Sequence, residues 1–85
     1  MTHQPLVSII MPSYNAAQFI AESIESVLAQ TYVDWELLIT DDCSKDQTLE
    51  IAQSYEREDP RIKVFALPIN SGAATARNHS LANAK

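Results

Sequence analysis

The sequence predicts an α/β fold, a parallel sheet of three strand–helix units with flanking helices, and three observations predict it. Three short runs are almost solidly apolar: 6–11, 35–40 and 62–67. Each is followed by a segment with helical spacing or helix-forming composition. Each also gives way abruptly to polar residues, at Pro12-Ser13-Tyr14-Asn15, Asp41-Asp42-Cys43-Ser44 and Asn70-Ser71-Gly72. Strands apolar on both faces belong in a buried parallel sheet, and this alternation implies right-handed crossovers. The arrangement is Rossmann-like.

The first strand, Leu6 to Met11, is bounded by Pro5 and Pro12. Asn15 and Gln18 then have the spacing of a capping box, and Ile20, Ile24, Val27 and Leu28 follow at helical intervals, so a helix is expected to end near Gln30-Thr31. The second strand, Trp35 to Thr40, stops at two carboxylates. Ser44 and Gln47 form a second capping-box pattern ahead of Leu49, Ala52 and Tyr55, one face of a helix closed by Glu58-Asp59-Pro60. The third strand is Ile62 to Leu67. After a loop at 68–72, the alanine-rich segment 73–84 predicts a helix whose small side chains let it lie close to a sheet.

Composition bounds the function. With 85 residues, 46% hydrophobic content and a formal charge of −5, the chain fits one small globular unit with only a modest core. Six scattered Lys and Arg residues argue against a nucleic-acid partner, which requires clustered positive charge. Cys43 is the single cysteine, which excludes an intramolecular disulfide and a cysteine-based zinc site and suggests a reducing, cytoplasmic setting. No secretory leader or bilayer-spanning apolar run is evident. A single glycine, Gly72, excludes both the GxGxxG fingerprint and a glycine-rich phosphate cradle.

In an open parallel sheet, ligands bind outside the carboxyl ends of the strands, where all three polar exits lie. An aromatic face, a carboxylate that accepts from a ring N–H and a cation are the groups that grip a nucleoside, and Tyr14, Asp42 and Arg77 are of those types. Each also has a plainer reading. Asp42 suits a loop or helix cap near Ser44, Tyr14 a half-buried aromatic, and Arg77 a solvated helix residue. Asn70 and Gly72 read as turn formers, His3 and His79 as exposed bystanders, and Cys43 as an inert loop thiol. Asp41-Asp42 is not read as a metal motif, because adjacent carboxylates at a strand end point in different directions.

Several segments together resemble the opening of family 2 glycosyltransferases. They are 7–15 (VSIIMPSYN), the helix end 26–32 (SVLAQTY), 35–42 (WELLITDD) with Ser44, and Asn70-Ser71-Gly72 with Ala76-Arg77-Asn78. The resemblance runs through nearly the whole chain. It implies a GT-A fold that binds a nucleoside-diphosphate sugar, often a UDP-sugar, and transfers the sugar to a hydroxyl acceptor with inversion, as in polysaccharide assembly. It assigns nucleotide contacts to Pro12, Tyr14, Asp42 and Arg77 and a supporting role to Asp41; Asn15, Ser44 and Gly72, at the same exits, are expected to support the site as well. It also implies a divalent metal, Mn or Mg, held by an Asp-x-Asp motif in sequence beyond Lys85, together with the catalytic base and acceptor surface. Residues 1–85 are thus expected to form an incomplete, donor-gripping portion without catalytic or metal-binding residues of its own. Membrane association is expected only through other segments. Two positions depart from the family pattern: Cys43 stands where glycine or asparagine is usual, and Gln47 where glycine is frequent.

Two other readings compete. A non-catalytic nucleotide-binding or self-associating module is suggested by the first strand, which is left as an apolar open edge when the strand that normally covers it is missing. A receiver-like phosphoacceptor domain ranks lower, because its acidic pair belongs after the first strand.

Overall fold

The computed structural model describes residues 6–30 and 33–84; His3, the expected helix end at Thr31 and Tyr32 of the helix-end segment lie outside them. The element order is β1 (Val7–Ser13), α1 (Ile20–Leu28), β2 (Trp35–Asp41), α2 (Thr48–Glu58), β3 (Ile62–Ala66) and α3 (Ala73–Ala82). All six expected elements are present. The strands form a parallel sheet in the order β1-β2-β3, with β2 buried along its whole length.

Register explains how the apolar runs are shared between two faces. Ile9, Leu37 and Ile62 lie side by side, as do Met11, Ile39 and Val64. These rows pack against Ile20, Ile24 and Val27 of α1 and Ala52, Ile51 and Tyr55 of α2. The alternate residues form the opposite face, in the rows Ile10-Leu38-Lys63 and Pro12-Thr40-Phe65. Helix α3 lies there, on β1 and β2. Among its described side chains the buried ones are Ala76 and Ser80, small residues four apart that allow the helix to approach closely.

That second face is partly polar and internally satisfied. Ser80 Oγ lies 2.5 Å from Thr40 Oγ1 and 3.3 Å from the Leu38 carbonyl, so both buried hydroxyls are paired. His79 is half-buried rather than exposed. Its ring meets Phe65 edge-on at 5.2 Å, and its Nδ1 lies 3.5 Å from Thr40 Oγ1. At the far end of the sheet, Arg61 stacks over Trp35 at 3.9 Å while pairing with Asp59 at 2.8 Å, which seats the turn into β3.

The strand and helix boundaries differ from expectation at several points. Strands β1 and β2 run past their apolar stretches to Ser13 and Asp41, because parallel pairing continues through the polar residues. Strand β3 stops at Ala66, before Leu67. Neither expected capping box forms. Helix α1 starts at Ile20 with no side-chain cap, and α2 starts at Thr48 in the same way. Asn15 and Ser44 are committed elsewhere, to each other's loops.

Pro12 is compatible with a strand because of the side it faces. The Val7 N–H donates to Asp34 O and the Ser13 carbonyl accepts from Asp42 N–H. The odd-numbered residues of β1 therefore address β2, and the ring nitrogen of Pro12 lies on the open edge, where no ladder bond is lost.

Candidate functional site

The three strand exits meet at the carboxyl end of the sheet around a cavity of about 240 Å³, lined by Pro12, Ser13, Tyr14, Asp42, Asn70, Gly72 and Ala76. This is below the roughly 300–1,000 Å³ of complete small-molecule sites, so it fits part of a ligand rather than a whole large one. The Tyr14 ring stands at the wall with 46% of its surface exposed, and it makes no hydrogen bond to the described residues. Its face is free to stack.

The adjacent carboxylates divide the loops between them. Asp41, 1% exposed, accepts from Ser44 N–H at 2.9 Å, Ser44 Oγ at 2.5 Å and Ser13 Oγ at 3.3 Å. Asp42, 3% exposed, turns to the other side and accepts from Ser71 N–H and Gly72 N–H, each at 2.7 Å. Asp42 thus lines the cavity while holding the segment that leads into α3. Asn70 adds a longer contact from Nδ2 to the Asp42 carbonyl, 3.4 Å.

The loop after β1 is bound to the loop after β2 by three hydrogen bonds and to the first residue of α2 by a fourth. Asn15 N–H donates to Ser44 Oγ at 2.9 Å, and Asn15 Oδ1 accepts from Lys45 N–H at 2.8 Å. Ala16 N–H donates to Thr48 Oγ1 at 2.7 Å and Ala17 N–H to Asp46 Oδ2 at 3.2 Å. Asp46 also accepts from the Thr48 hydroxyl and from Thr48 N–H. The Thr48 hydroxyl, with the backbone N–H behind it, holds the Asp46 carboxyl below the usual carboxylate range. Asn15, at φ +47°, adopts the left-handed conformation that asparagine tolerates better than most residues.

Cys43 also has positive φ, +59°. This gives a physical reason for glycine or asparagine at that position, since a β-carbon is strained there. The thiol points towards the Pro68 carbonyl, 3.6 Å away.

Of the residues expected to contact nucleotide, Pro12, Tyr14 and Asp42 line the cavity and Arg77 does not. Arg77 is exposed on α3, one residue beyond Ala76, and forms no ion pair with the described residues. Gly72, expected in support, lines the cavity itself. Ser13, Asn70 and Ala76 were not expected to line it. Ser13 and Asn70 both sit at polar strand exits that the sequence marks, whereas Ala76, a small apolar residue within a helix, carries too little chemistry to stand out in a sequence. Among the described residues, no three His, Cys, Asp or Glu side chains come together as a metal site, and no helix is long and apolar enough to cross a membrane.

Fold and site together define a protein of the open parallel-sheet class, with a cavity at the carboxyl ends of its strands and the Rossmann-like GT-A architecture. The chain belongs to glycosyl transferase family 2, whose family model matches residues 8–85. It is 54% identical over 76 residues to the Escherichia coli UDP-Glc:alpha-D-GlcNAc-diphosphoundecaprenol beta-1,3-glucosyltransferase WfgD, covering 89% of this chain and 29% of that protein. Among solved structures it resembles S. aureus TarS 1-349 in complex with UDP, with a TM-score of 0.87, 36% identity and coverage of 95% of this chain and 25% of that one. It also resembles the mannosyltransferase PcManGT from Pyrobaculum calidifontis in complex with GDP-Man and Mn2+, with a TM-score of 0.88, 27% identity and coverage of 99% and 26%. The chain spans about a third or less of the length of the curated relatives it matches.

Proposed function

We propose that residues 1–85 form the donor-nucleotide-binding portion of a glycosyltransferase that moves a sugar from a nucleoside-diphosphate sugar to a hydroxyl acceptor with inversion. The observation that carries this reading is the pairing of a free Tyr14 ring with the buried Asp42 carboxylate in one cavity at the strand ends. The ring offers a stacking face, and the carboxylate is an acceptor for a base with a ring N–H, as in uracil or guanine. Pro12 lines the same wall. Arg77, exposed on α3 one residue beyond the cavity-lining Ala76, is the cation assigned to the phosphates or a carbonyl oxygen, and Asn15, Asp41, Ser44 and Gly72 hold the loops. A UDP-sugar is the favoured donor: the WfgD relative is named for UDP-Glc, and the TarS structure, the more similar in sequence of the two neighbours, holds UDP. Polysaccharide assembly is the favoured setting.

A divalent metal and a catalytic base complete this chemistry in the whole enzyme, one neutralising the departing diphosphate and the other taking the acceptor proton. The Mn2+ in the mannosyltransferase neighbour supports the metal requirement. The cytoplasmic side of a membrane suits a donor made in the cytoplasm.

Calorimetric titration with UDP, GDP and CDP, with and without manganese, tests the proposal. Binding of UDP that is lost in Asp42→Ala is the expected result. Equal affinity for all three nucleotides, or binding unaffected by Asp42→Ala, overturns it.

The open edge of β1 supports a second reading, self-association. Because its odd-numbered residues bond to β2, the backbone groups of Ser8, Ile10 and Pro12 face outwards, and Leu6 and Val7 are exposed beside them. Sedimentation at increasing concentration is expected to show dimerisation of the 85-residue chain, and a monomer throughout excludes this reading.

A further inference from the structure

Helix α3 begins without a cap of its own. Its N-cap residue is Gly72, at φ +94° and ψ 157°, and no side chain within the segment accepts from the amides that lead into the helix. The acceptors come from another strand. Asp42 Oδ1 takes Ser71 N–H and Asp42 Oδ2 takes Gly72 N–H, both at 2.7 Å. Each oxygen is therefore loaded with one backbone donor on the loop side and keeps lone-pair capacity on the cavity side.

We infer that Ser71 and Gly72 are positioning residues for the nucleotide site, and that occupation of the cavity and closure of the loop at 70–72 are thermodynamically coupled through Asp42. This rests on the proposed nucleotide reading. The amides hold the carboxylate plane in place and leave it acceptor-only towards the cavity. If the loop opens, Asp42 loses both donors and its fixed orientation, so the open form binds the base poorly. By linkage, a ligand that prefers the closed form must hold the loop shut by the same factor. The arrangement also bears on selectivity. An Asn at position 42 presents one amide nitrogen, which opposes either Ser71 N–H or Gly72 N–H, so Asp42→Asn does not convert the site to a base that presents an acceptor.

Amide hydrogen exchange on the protein, with and without UDP, tests the inference, with calorimetry on the same sample to establish binding. At UDP one hundred times its Kd, exchange of Ser71 and Gly72 N–H is expected to slow about a hundredfold. Val7 N–H, bonded to Asp34 O at the opposite end of the sheet, is the fraying reference and is expected to stay unchanged. Ser71→Pro, which deletes one of the two donors, is expected to weaken UDP about tenfold. UDP binding without slowing at Ser71 and Gly72 overturns the coupling and leaves the nucleotide reading intact. No UDP binding by the folded protein overturns both.

Discussion

Asp41 and Asp42 are neighbours in the chain but are bonded to opposite sides of the sheet. Asp41 accepts from Ser13 and Ser44, on the side of α1 and α2, whereas Asp42 accepts from the backbone that leads into α3. Strand alternation produces this division, since β2 continues through Asp41 and successive side chains leave it on opposite faces. One carboxylate therefore fastens the first two exits together, and the other joins the cavity to the third.

The two carboxylates are expected to fail differently. Asp41→Ala orphans three donors around a buried position and should cost about 3 kcal/mol, read as a lower urea midpoint. Asp42→Ala frees two amides in an exposed loop that water can reach, so its stability cost should be near 1 kcal/mol while UDP binding disappears. Equal stability losses in the two variants would contradict the assigned division of roles.

Cys43 is held at φ +59° with only a weak contact to the Pro68 carbonyl. Cys43→Gly relieves left-handed strain of about 1–2 kcal/mol, less the added entropy of a glycine in the unfolded chain, and should stabilise the fold by about 0.5–1 kcal/mol. Cys43→Val, β-branched, should destabilise it. Thermal denaturation of both variants checks the sign.

Ala76 is fully buried and also lines the cavity. Ala76→Leu is expected to lift α3 from β1 and β2 at a cost of about 1–3 kcal/mol and to weaken nucleotide binding as well. A larger side chain accommodated with unchanged affinity would show that α3 is looser against the sheet than its packing implies.

Acid sensitivity follows from two carboxylates outside the cavity. Asp46 is held below its ordinary value by Thr48, and Asp59 is held down chiefly by its bond to Arg61. A depressed carboxylate adds stability above its unfolded value, about 3.9, and loses it as pH falls through the folded value. Stability should therefore be insensitive to these groups at neutral pH and decline below about pH 4. Asp46→Asn and Asp59→Asn should each flatten that decline in urea titrations at pH 2–5.

The elements and their order were legible in the sequence because they depend on local properties. Apolar runs such as Trp35 to Thr40, helical spacing at Ile20, Ile24 and Val27, and polar breaks after each strand are all recorded within a few residues. The same local logic failed where a polar side chain had a choice of partner. Asn15 and Ser44 both matched helix-capping patterns, yet each is bonded to the loop of the other, about 30 positions away. His79 looked like a surface residue until α3 was laid on Phe65 and Thr40.

Local residue patterns were enough to define a parallel α/β unit with polar strand exits, and they carried the pattern of its family from residue 7 to residue 78. Packing of the whole chain was needed to show which of those exit residues share a cavity, that Asp41 and Asp42 serve different loops, that Arg77 stands outside the cavity lining, and that Cys43 occupies a left-handed position. The difference is one of range. Hydrophobic periodicity acts between near neighbours, whereas a hydrogen bond between loops exists only after sheet order and register have brought its partners together.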